Sequence, residues 1–284
     1  MAHIAFLGTG LLGSAFAEAA AGRGDSVVAW NRSPEKAQAL AAFGITAAAT
    51  PAEAVRGATR VHLVLKDDAV VEEVIAAARS GLGSDTVVID HSTTLPALTA
   101  QRIVRLRDAG VHYLHCPVFM GPAAARTAQG TMLVSGPEAV YQLVKAELAR
   151  MTTRVQYLGE RPDLAAGNKL LGNAMIIGLA AVIADVLTVA QASNVDATDA
   201  IALLGVLDLN AMVKGRGMSM ATGNFAPAFE LTMARKDVGL MVEATGARPM
   251  AVLPGIAARM DQLIAQGHGA SDACVLGVDA LRRN

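Results

Sequence analysis

Cysteine is scarce in this sequence of 284 residues, and neither sign of charge is in surplus. Cys116 and Cys274 are the only cysteines. They are too few and too far apart for a disulfide framework or a zinc site, so we expect no bound metal and a reducing compartment. The 24 Lys and Arg residues are balanced by 25 Asp and Glu residues, for a net charge of −1. This balance argues against a nucleic-acid partner.

Long hydrophobic runs and a targeting segment are also missing. The longest purely apolar run, residues 174–184, is shorter than the roughly 20 residues that cross a bilayer, so we expect no membrane partner. The chain enters the apolar run 4–7 without a charged leader or a cleavage site, which predicts a cytoplasmic protein. Hydrophobic residues make up 53% of the chain and charged residues 17%, which is typical of a well-buried globular protein.

Short β-rich runs alternate with helical patterns up to about residue 157. The pattern predicts strands at 3–7, 26–30, 60–65, 86–90, 111–115, 131–135 and 154–158, and helices at 11–22, 34–43, 68–79, 95–109 and 137–149. Strands that alternate with helices indicate crossover connections and a parallel sheet covered on both faces. We therefore assign an α/β fold whose first domain, residues 1–162, is a doubly wound Rossmann domain.

The second domain, residues 163–284, is predicted to be all-helical. Its helices are expected at 166–192, 196–205, 208–221, 229–245, 250–266 and 270–282. The first of these is unusually long and is apolar on nearly every face in its middle. A helix of that kind is buried on all sides, so we expect it in a subunit interface or at the centre of the helical domain.

A glycine loop follows the first predicted strand and opens the first helix. Gly8, Gly10 and Gly13 enclose Thr9, Leu11 and Leu12 in the pattern G-x-G-x-x-G, which in this context predicts binding of a dinucleotide pyrophosphate at the helix N-terminus. Gly8 permits the tight turn, Gly10 admits the phosphates, and Gly13 lets helix and strand pack closely. A glycine-rich turn without a ligand is the alternative.

The end of the second strand indicates which dinucleotide binds. Asn31, Arg32, Ser33 and Lys36 occur where an NAD site usually has an acidic residue for the ribose hydroxyls, whereas an Arg there accommodates a 2′-phosphate. Arg32, Ser33 and Lys36 can all contact that phosphate. We therefore expect NADP, although Ser33 and Pro34 also suit a simple helix start.

Several segments together resemble the β-hydroxyacid dehydrogenase family, which includes 3-hydroxyisobutyrate dehydrogenase and is related to glyoxylate/succinic semialdehyde reductases and imine reductases. They are IAFLGTGLLGSAFA, LKDDAVVEEV and IDHSTTLP, and the resemblance runs nearly end to end. It implies that Leu65, Lys66 and Val70 lie along the cofactor and that Thr93 contacts its nicotinamide side. It also implies a homodimer formed through the helical domains.

The segment AGNKLLGN, residues 166–173, resembles the family's lysine and asparagine motif on the interdomain helix. Lys169 and Asn173 are four residues apart, so they project from one helical face, and Gly172 is expected to leave room there for a cofactor or substrate. The resemblance implies that Lys169 is the catalytic acid/base and that Asn173 orients the substrate. Without it, Lys169 would be interpreted as a solvated lysine at the edge of a buried helix.

A second motif, ARKDVGL at 234–240, resembles the family segment whose lysine approaches the nicotinamide. The resemblance therefore assigns Lys236 to the cofactor site. Asp237 points about 100° away on a helix and receives a structural role. A surface ion pair remains the alternative for both residues.

The chain departs from the family at HCPVFMG, residues 115–121. The family usually has small residues, Ser and then Gly, where this chain has Phe119 and Met120. The small residues of the family normally let a substrate carboxylate reach backbone N–H groups and a hydroxyl. Phe119, Met120 and Gly121 are expected to line the substrate site and to favour a larger or more apolar substrate. Alternatively, Phe119 and Met120 are core residues at a strand end.

The resemblance implies an NADP-dependent oxidoreductase that transfers a hydride between the nicotinamide and a hydroxy acid or aldehyde. Lys169 is then the general acid/base. An imine reductase is a close alternative, because it has a similar fold and cofactor and because residues 119–121 depart from the family pattern. Such enzymes commonly carry Asp or Tyr at the lysine position, so Lys169 favours a carbonyl or alcohol substrate. A non-catalytic NADP-binding sensor is a second alternative, since it would need the glycine loop and Arg32 but would have no use for Lys169 and Asn173.

Overall fold

The computed structural model describes residues 3–281 of the chain. The fold divides into two compact units, Met1–Asn173 and Ala174–Asn284. The division falls inside the long interdomain helix rather than ahead of it.

The first unit is built on a six-stranded parallel sheet with the order β3-β2-β1-β4-β5-β6. Its strands are β1 (His3–Leu7), β2 (Ser26–Trp30), β3 (Thr46–Ala47), β4 (Arg60–Leu63), β5 (Val87–Asp90) and β6 (His112–His115). The strand order reverses between β1 and β4, which creates the crevice where open α/β sheets bind nucleotides. The prediction of a doubly wound Rossmann fold is confirmed.

Alternation of side chains along the strands produces a core on each face of this sheet. In β1, Ile4 and Phe6 belong to one buried cluster, whereas Ala5 and Leu7 belong to the other. Successive strand residues point to opposite faces, and helices cover both. These helices are α1 (Leu11–Gly22), α2 (Pro34–Gln38), α3 (Pro51–Val55), α4 (Asp68–Ala78), α5 (Pro96–Asp108), α6 (Pro122–Arg126) and α7 (Glu138–Ala149).

A small second sheet extends the unit beyond β6. Its strands are β7 (Val118–Phe119), β8 (Thr131–Val134) and β9 (Arg154–Tyr157); β7 pairs antiparallel with β8, and β8 pairs parallel with β9. The hydrophobic pattern missed β3, β7, α3 and α6, because elements of two to five residues show no period. The helix predicted at 34–43 is α2 followed by a 3₁₀ turn at Ala39–Phe43.

As far as residue 281, the second unit contains helices only, apart from an isolated bridge between Glu230 and Asp272. The long helix α8 (Leu164–Ala192) leads into it, followed by α9 (Ala197–Leu204), α10 (Leu209–Thr222), α11 (Leu231–Thr245) and α12 (Leu253–Leu263). The helix predicted at 270–282 is a 3₁₀ segment, Ala273–Leu281, and residue 282 lies outside the described residues. The prediction of a helical second half is confirmed.

The burial expected for α8 is not found within the single chain. Leu171 and Ile177 are 71% and 67% exposed, and Met175 and Ile176 are also exposed. Within the described residues, α8 is the one helix that is long and apolar enough to cross a membrane. Length and composition alone do not distinguish a membrane span from a helix of a packed domain. Its Asp185 is buried and accepts backbone N–H bonds from residues 251–253 of the same unit, and that contact belongs to a packed helical domain.

Candidate functional site

The glycine loop combines close backbone packing with an open space. Gly8 has a φ of +99°, which only glycine adopts readily. A Cβ on Gly13 would overlap the carbonyl oxygen of Gly8, so α1 packs directly on the turn. A Cβ on Gly10 would meet no described atom within 4 Å. Gly8 and Gly13 thus serve the fold, and the backbone at Gly10 is accessible to a ligand.

A recess of about 400 Å³ lies in front of this loop, at the carboxyl ends of β1, β2 and β4. It is lined by eleven of the residues that the sequence assigned to the cofactor: Gly8, Gly10, Leu11, Leu12, Asn31, Arg32, Ser33, Lys36, Leu65, Lys66 and Val70. Thr93 is exposed in the loop after β5 and does not line the recess. The open glycine backbone and the position at the sheet crevice fit a dinucleotide.

Four further lining residues were missed by the sequence analysis: Trp30, Val64, Glu73 and Val74. Glu73 and Val74 lie three and four residues after Val70 on α4, so helical spacing places all three on one face. Helical spacing from Val70 could therefore have predicted Glu73 and Val74 as lining residues from the sequence.

Asn31 fixes the turn that follows β2 at the edge of the recess. Its Oδ1 accepts a hydrogen bond from the backbone N–H of Thr9 at 3.0 Å, and its Nδ2 donates to the carbonyl of Ser33 at 3.1 Å. The side chain therefore joins the glycine loop to the turn that carries Arg32. The Arg32 and Lys36 side chains are exposed beside it.

A buried polar network holds the loops that follow β4 and β5. Ser92 Oγ accepts from the backbone N–H of Leu65 at 3.0 Å, and Asp90 Oδ1 accepts from the N–H of Ser92 at 2.9 Å. Tyr113 Oη donates to Asp90 Oδ2 at 2.6 Å. Burial opposes ionisation of Asp90, but His115 at 3.7 Å and the donors of Ser92 and Tyr113 lower its pKa to about 2. Asp90 is thus a buried carboxylate.

Arg102 connects this network to the start of α4. Its side chain is fully buried; Nη2 donates to Asp68 at 2.7 Å and Nε to Glu72 at 2.8 Å. Its Nη1 lies 3.7 Å from Asp90. Asp68 also accepts from the N–H of Leu95 at 2.9 Å. One arginine therefore fixes the segment that follows β4 relative to the segment that follows β5.

His91 also belongs to the interior. Burial lowers its pKa to about 4, so it is neutral at physiological pH. Its Nδ1 lies 2.7 Å from the carbonyl of Cys116 and its Nε2 lies 2.9 Å from His62. These contacts describe a structural residue.

Lys169 lies half-buried near the start of α8, close to β7. Its Nζ donates to the carbonyl oxygen of Val118 at 2.6 Å and lies 4.3 Å from the centre of the Phe119 ring. Burial lowers the pKa of Lys169. Asn173, one turn further along the helix, is half-buried as well. Such a lysine releases its proton more readily than a solvated one, which suits a proton-transfer role.

The space expected at Gly172 is occupied by a side chain. A Cβ on Gly172 would overlap the tip of the Phe119 ring, so the ring fills the room that the sequence analysis reserved for a cofactor or substrate. Met120 packs against Gly130 and the adjoining core, and Gly121 caps α6. Of the two residues that depart from the family pattern, Phe119 thus lies beside Lys169, whereas Met120 is a core residue at the end of a strand.

Lys236 lies in the second unit, on α11, and forms the surface ion pair that the sequence left as an alternative. Its Nζ is 2.9 Å from Asp237, and the two side chains are 56% and 40% exposed. Its assignment to the cofactor stays a prediction. No group of three or more His, Cys, Asp or Glu residues able to hold a metal occurs within residues 3–281.

The fold and the site define a nicotinamide-nucleotide-dependent oxidoreductase. The chain belongs to the family described as the NAD binding domain of 6-phosphogluconate dehydrogenase, whose model matches residues 3–159. This match and the relatives below confirm the family resemblance, the dinucleotide-binding domain and the class of dehydrogenases and reductases.

Two relatives span nearly the whole chain. The 3-sulfolactaldehyde reductase of Escherichia coli (strain K12) is 28% identical over 96% of this chain and 93% of its own length. Glyoxylate/succinic semialdehyde reductase 2, chloroplastic, of Arabidopsis thaliana is 26% identical over 95% of this chain and 76% of its own length. Among solved structures, an imine reductase from Pseudomonas sp. has a TM-score of 0.88 at 21% identity and covers 99% of both chains. At that identity the likeness shows the fold alone.

Proposed function

We propose that this protein is an NADP-dependent reductase that interconverts a carbonyl and an alcohol, with Lys169 as the general acid/base. The observation that carries the proposal is the half-buried ammonium of Lys169, which is held by a backbone carbonyl and whose pKa is lowered by burial. The relatives named as reductases of 3-sulfolactaldehyde and of glyoxylate and succinic semialdehyde support an aldehyde as the oxidised substrate.

The glycine loop, Arg32, Ser33 and Lys36 would hold NADP, which would supply or accept the hydride. Asn31 is engaged by the backbone of Thr9 and Ser33, so the adjacent Arg32 projects from a fixed turn. A guanidinium pairs with a phosphate through two parallel hydrogen bonds. Arg32 on this turn is therefore suited to pair with the 2′-phosphate that distinguishes NADP from NAD.

The chain's own residues then handle the proton. In the reductive direction protonated Lys169 donates a proton to the substrate oxygen, and its charge stabilises the oxyanion as it develops. In the oxidative direction neutral Lys169 accepts the hydroxyl proton. Asn173 projects from the same face of α8 and would fix the orientation of that oxygen through its amide.

NADPH consumption at 340 nm by the wild type and by Lys169→Ala tests this mechanism. The panel consists of short aldehydes, ketones, 2- and 3-oxo acids and cyclic imines. Loss of an acid/base that also stabilises the oxyanion lowers turnover by about 10²–10⁴-fold, while NADPH binding stays close to that of the wild type. Equal turnover by both proteins would remove Lys169 from the mechanism. Imine turnover that survives the substitution would assign the alternative imine reductase, and binding without turnover would assign the sensor.

Arg32→Ala tests the cofactor preference. Trp30 is the only tryptophan of the chain and lines the recess, so quenching of its fluorescence reports binding without turnover. We expect a large rise in the Kd for NADPH and little change for NADH. Equal losses for both cofactors would contradict the 2′-phosphate assignment.

We also propose a homodimer in which α8 is covered by a second copy. The exposed side chains of Leu171, Met175, Ile176 and Ile177 form an apolar stretch, and a contiguous apolar surface of this kind marks an interaction site. Light scattering coupled to size exclusion should give twice the chain mass for the wild type. Ile177→Glu should give a monomer, and a monomeric wild type would refute the proposal.

A further inference from the structure

We propose that Phe119 makes this site selective for carbonyl substrates whose substituents are uncharged and apolar. The inference rests on the proposed function of Lys169 and narrows its substrate class. It depends on what surrounds the lysine, namely the Phe119 ring, the glycine that receives it and a backbone carbonyl.

The first observation is the fit between Phe119 and Gly172. The tip of the ring occupies the volume that a Cβ on Gly172 would need. Gly172 lies between Lys169 and Asn173 in the sequence of α8. Because it has no side chain, the Phe119 ring can lie against the helix there. The place beside the lysine, where a small residue would leave room for a polar substrate group, is filled by aromatic carbon.

The second observation is that the neighbours of Lys169 are neutral. Its Nζ contacts the Val118 carbonyl and the face of the Phe119 ring, and a ring face attracts a cation. Burial is the cause that lowers the pKa of Lys169, and within the described part of the first unit no carboxylate contributes to that shift. The ammonium therefore keeps N–H groups free for a substrate oxygen.

A carboxylate on the substrate would conflict with this arrangement. Next to the ring it would lose hydration without gaining a donor, which is costly for a charged group. If it paired with Lys169 instead, it would compete with the reacting oxygen for the N–H groups of the ammonium. An apolar substituent meets the ring at no such cost.

The test compares substrates matched in length. Butanal and succinic semialdehyde differ by a terminal carboxylate, and methyl glyoxylate and glyoxylate differ by esterification of the acid. We expect the uncharged member of each pair to have the higher kcat/KM by about tenfold or more, which corresponds to roughly 1.4 kcal/mol. Phe119→Ser should reduce or reverse that ratio. Phe43→Ser, at an exposed phenylalanine of the same unit, is the matched control and should leave the ratio unchanged.

Two further measurements need no turnover. The first is a double-mutant cycle on thermal unfolding: Gly172→Ala should destabilise the wild type and be much less harmful in a Phe119→Ala background. The second is ligand-observed NMR on the NADP⁺-loaded protein, in which butyramide should bind more tightly than butyrate, with the preference lost in Phe119→Ser.

The outcomes separate the two proposals. Wild-type preference for the acids, or a ratio unaffected by Phe119→Ser, overturns the selectivity even if turnover depends on Lys169. If the protein turns over no carbonyl, the proposed function is overturned. The NMR comparison of butyramide with butyrate then tests the selectivity of the pocket by itself. Additive effects of Gly172→Ala and Phe119→Ala would show that the ring does not occupy the space beside the helix.

Discussion

Replacement of Arg102 by methionine should destabilise the first unit far more than replacement of a neighbouring arginine on the same helix. Arg102 is fully buried and contacts three carboxylates, those of Asp68, Glu72 and Asp90. Methionine keeps most of the length of the side chain and removes its charge and its donors. Asp90, which is also fully buried, then loses the guanidinium beside it.

The magnitude follows from the burial. Removing one partner of a buried ion pair costs about 3–5 kcal/mol, because an uncompensated charge is left inside. For a chain of this size about 2–4 °C of Tm corresponds to each kcal/mol, so the expected loss is roughly 6–20 °C. Arg105 also pairs with Glu72, but its side chain is 56% exposed. Arg105→Ala should therefore cost no more than about 1 kcal/mol.

Unfolding followed by Trp30 fluorescence measures the effect in the first unit, because that tryptophan lies in β2. The same signal gives the Kd for NADPH, which should rise for Arg102→Met, since Arg102 fixes Asp68 at the start of α4 and Val70 lines the recess. If Arg102→Met and Arg105→Ala have equal and small effects on the unfolding midpoint, the network does not stabilise the unit and the reasoning fails.

Three further predictions concern other parts of the molecule. Because burial lowers the pKa of Lys169, reductive kcat should fall as pH rises through that lowered pKa while oxidative kcat rises; a reductive kcat that stays level into the range of a free lysine contradicts the assignment. Asp185→Asn should destabilise the second unit by about 1.5–3 kcal/mol for each charge-assisted bond lost, as measured by chemical denaturation. Backbone N–H groups hold the pKa of Asp185 below its usual value in spite of burial, so the wild-type advantage should be present at neutral pH and disappear as pH falls below about 4. Gly13→Ala should abolish NADPH binding because its Cβ overlaps the Gly8 carbonyl, whereas Gly22→Ala, with open space at its Cβ, should bind normally.

The elements that the sequence predicted well are those whose pattern is local and repeated. Strands β1 and β2 and helix α1 begin and end where the hydrophobic pattern and the glycine loop place them. The two-residue strand β7 has no such pattern, since its existence depends on pairing with β8. The exposure of α8 shows the same limit, because a sequence indicates that a face is apolar but not whether its partner belongs to the same chain.

Arg102 shows a signal that was present in the sequence but easily missed. The buried residues of α5 are Thr99, Arg102, Ile103 and Leu106, which follow the spacing i, i+3, i+4 and i+7 of a core-facing helical stripe. An arginine on that stripe must be buried, and a buried arginine needs carboxylates. Asp68, Glu72 and Asp90 supply them. Periodicity alone therefore distinguishes Arg102 from Arg105.

The two halves of the candidate site differ in how far apart their determinants lie in the chain. The cofactor half depends on the glycine loop, where Gly8, Gly10 and Gly13 are close in sequence and each obeys a local backbone rule. The half for which we propose acid/base chemistry depends on a contact between Phe119 and Gly172, which lie on different elements and are joined only by the tertiary fold. A glycine that leaves room and a phenylalanine that takes it cannot be paired from one sequence. The cofactor class could therefore be inferred from the sequence, whereas the surroundings of Lys169, through which we propose that the substrate is selected, required the structure.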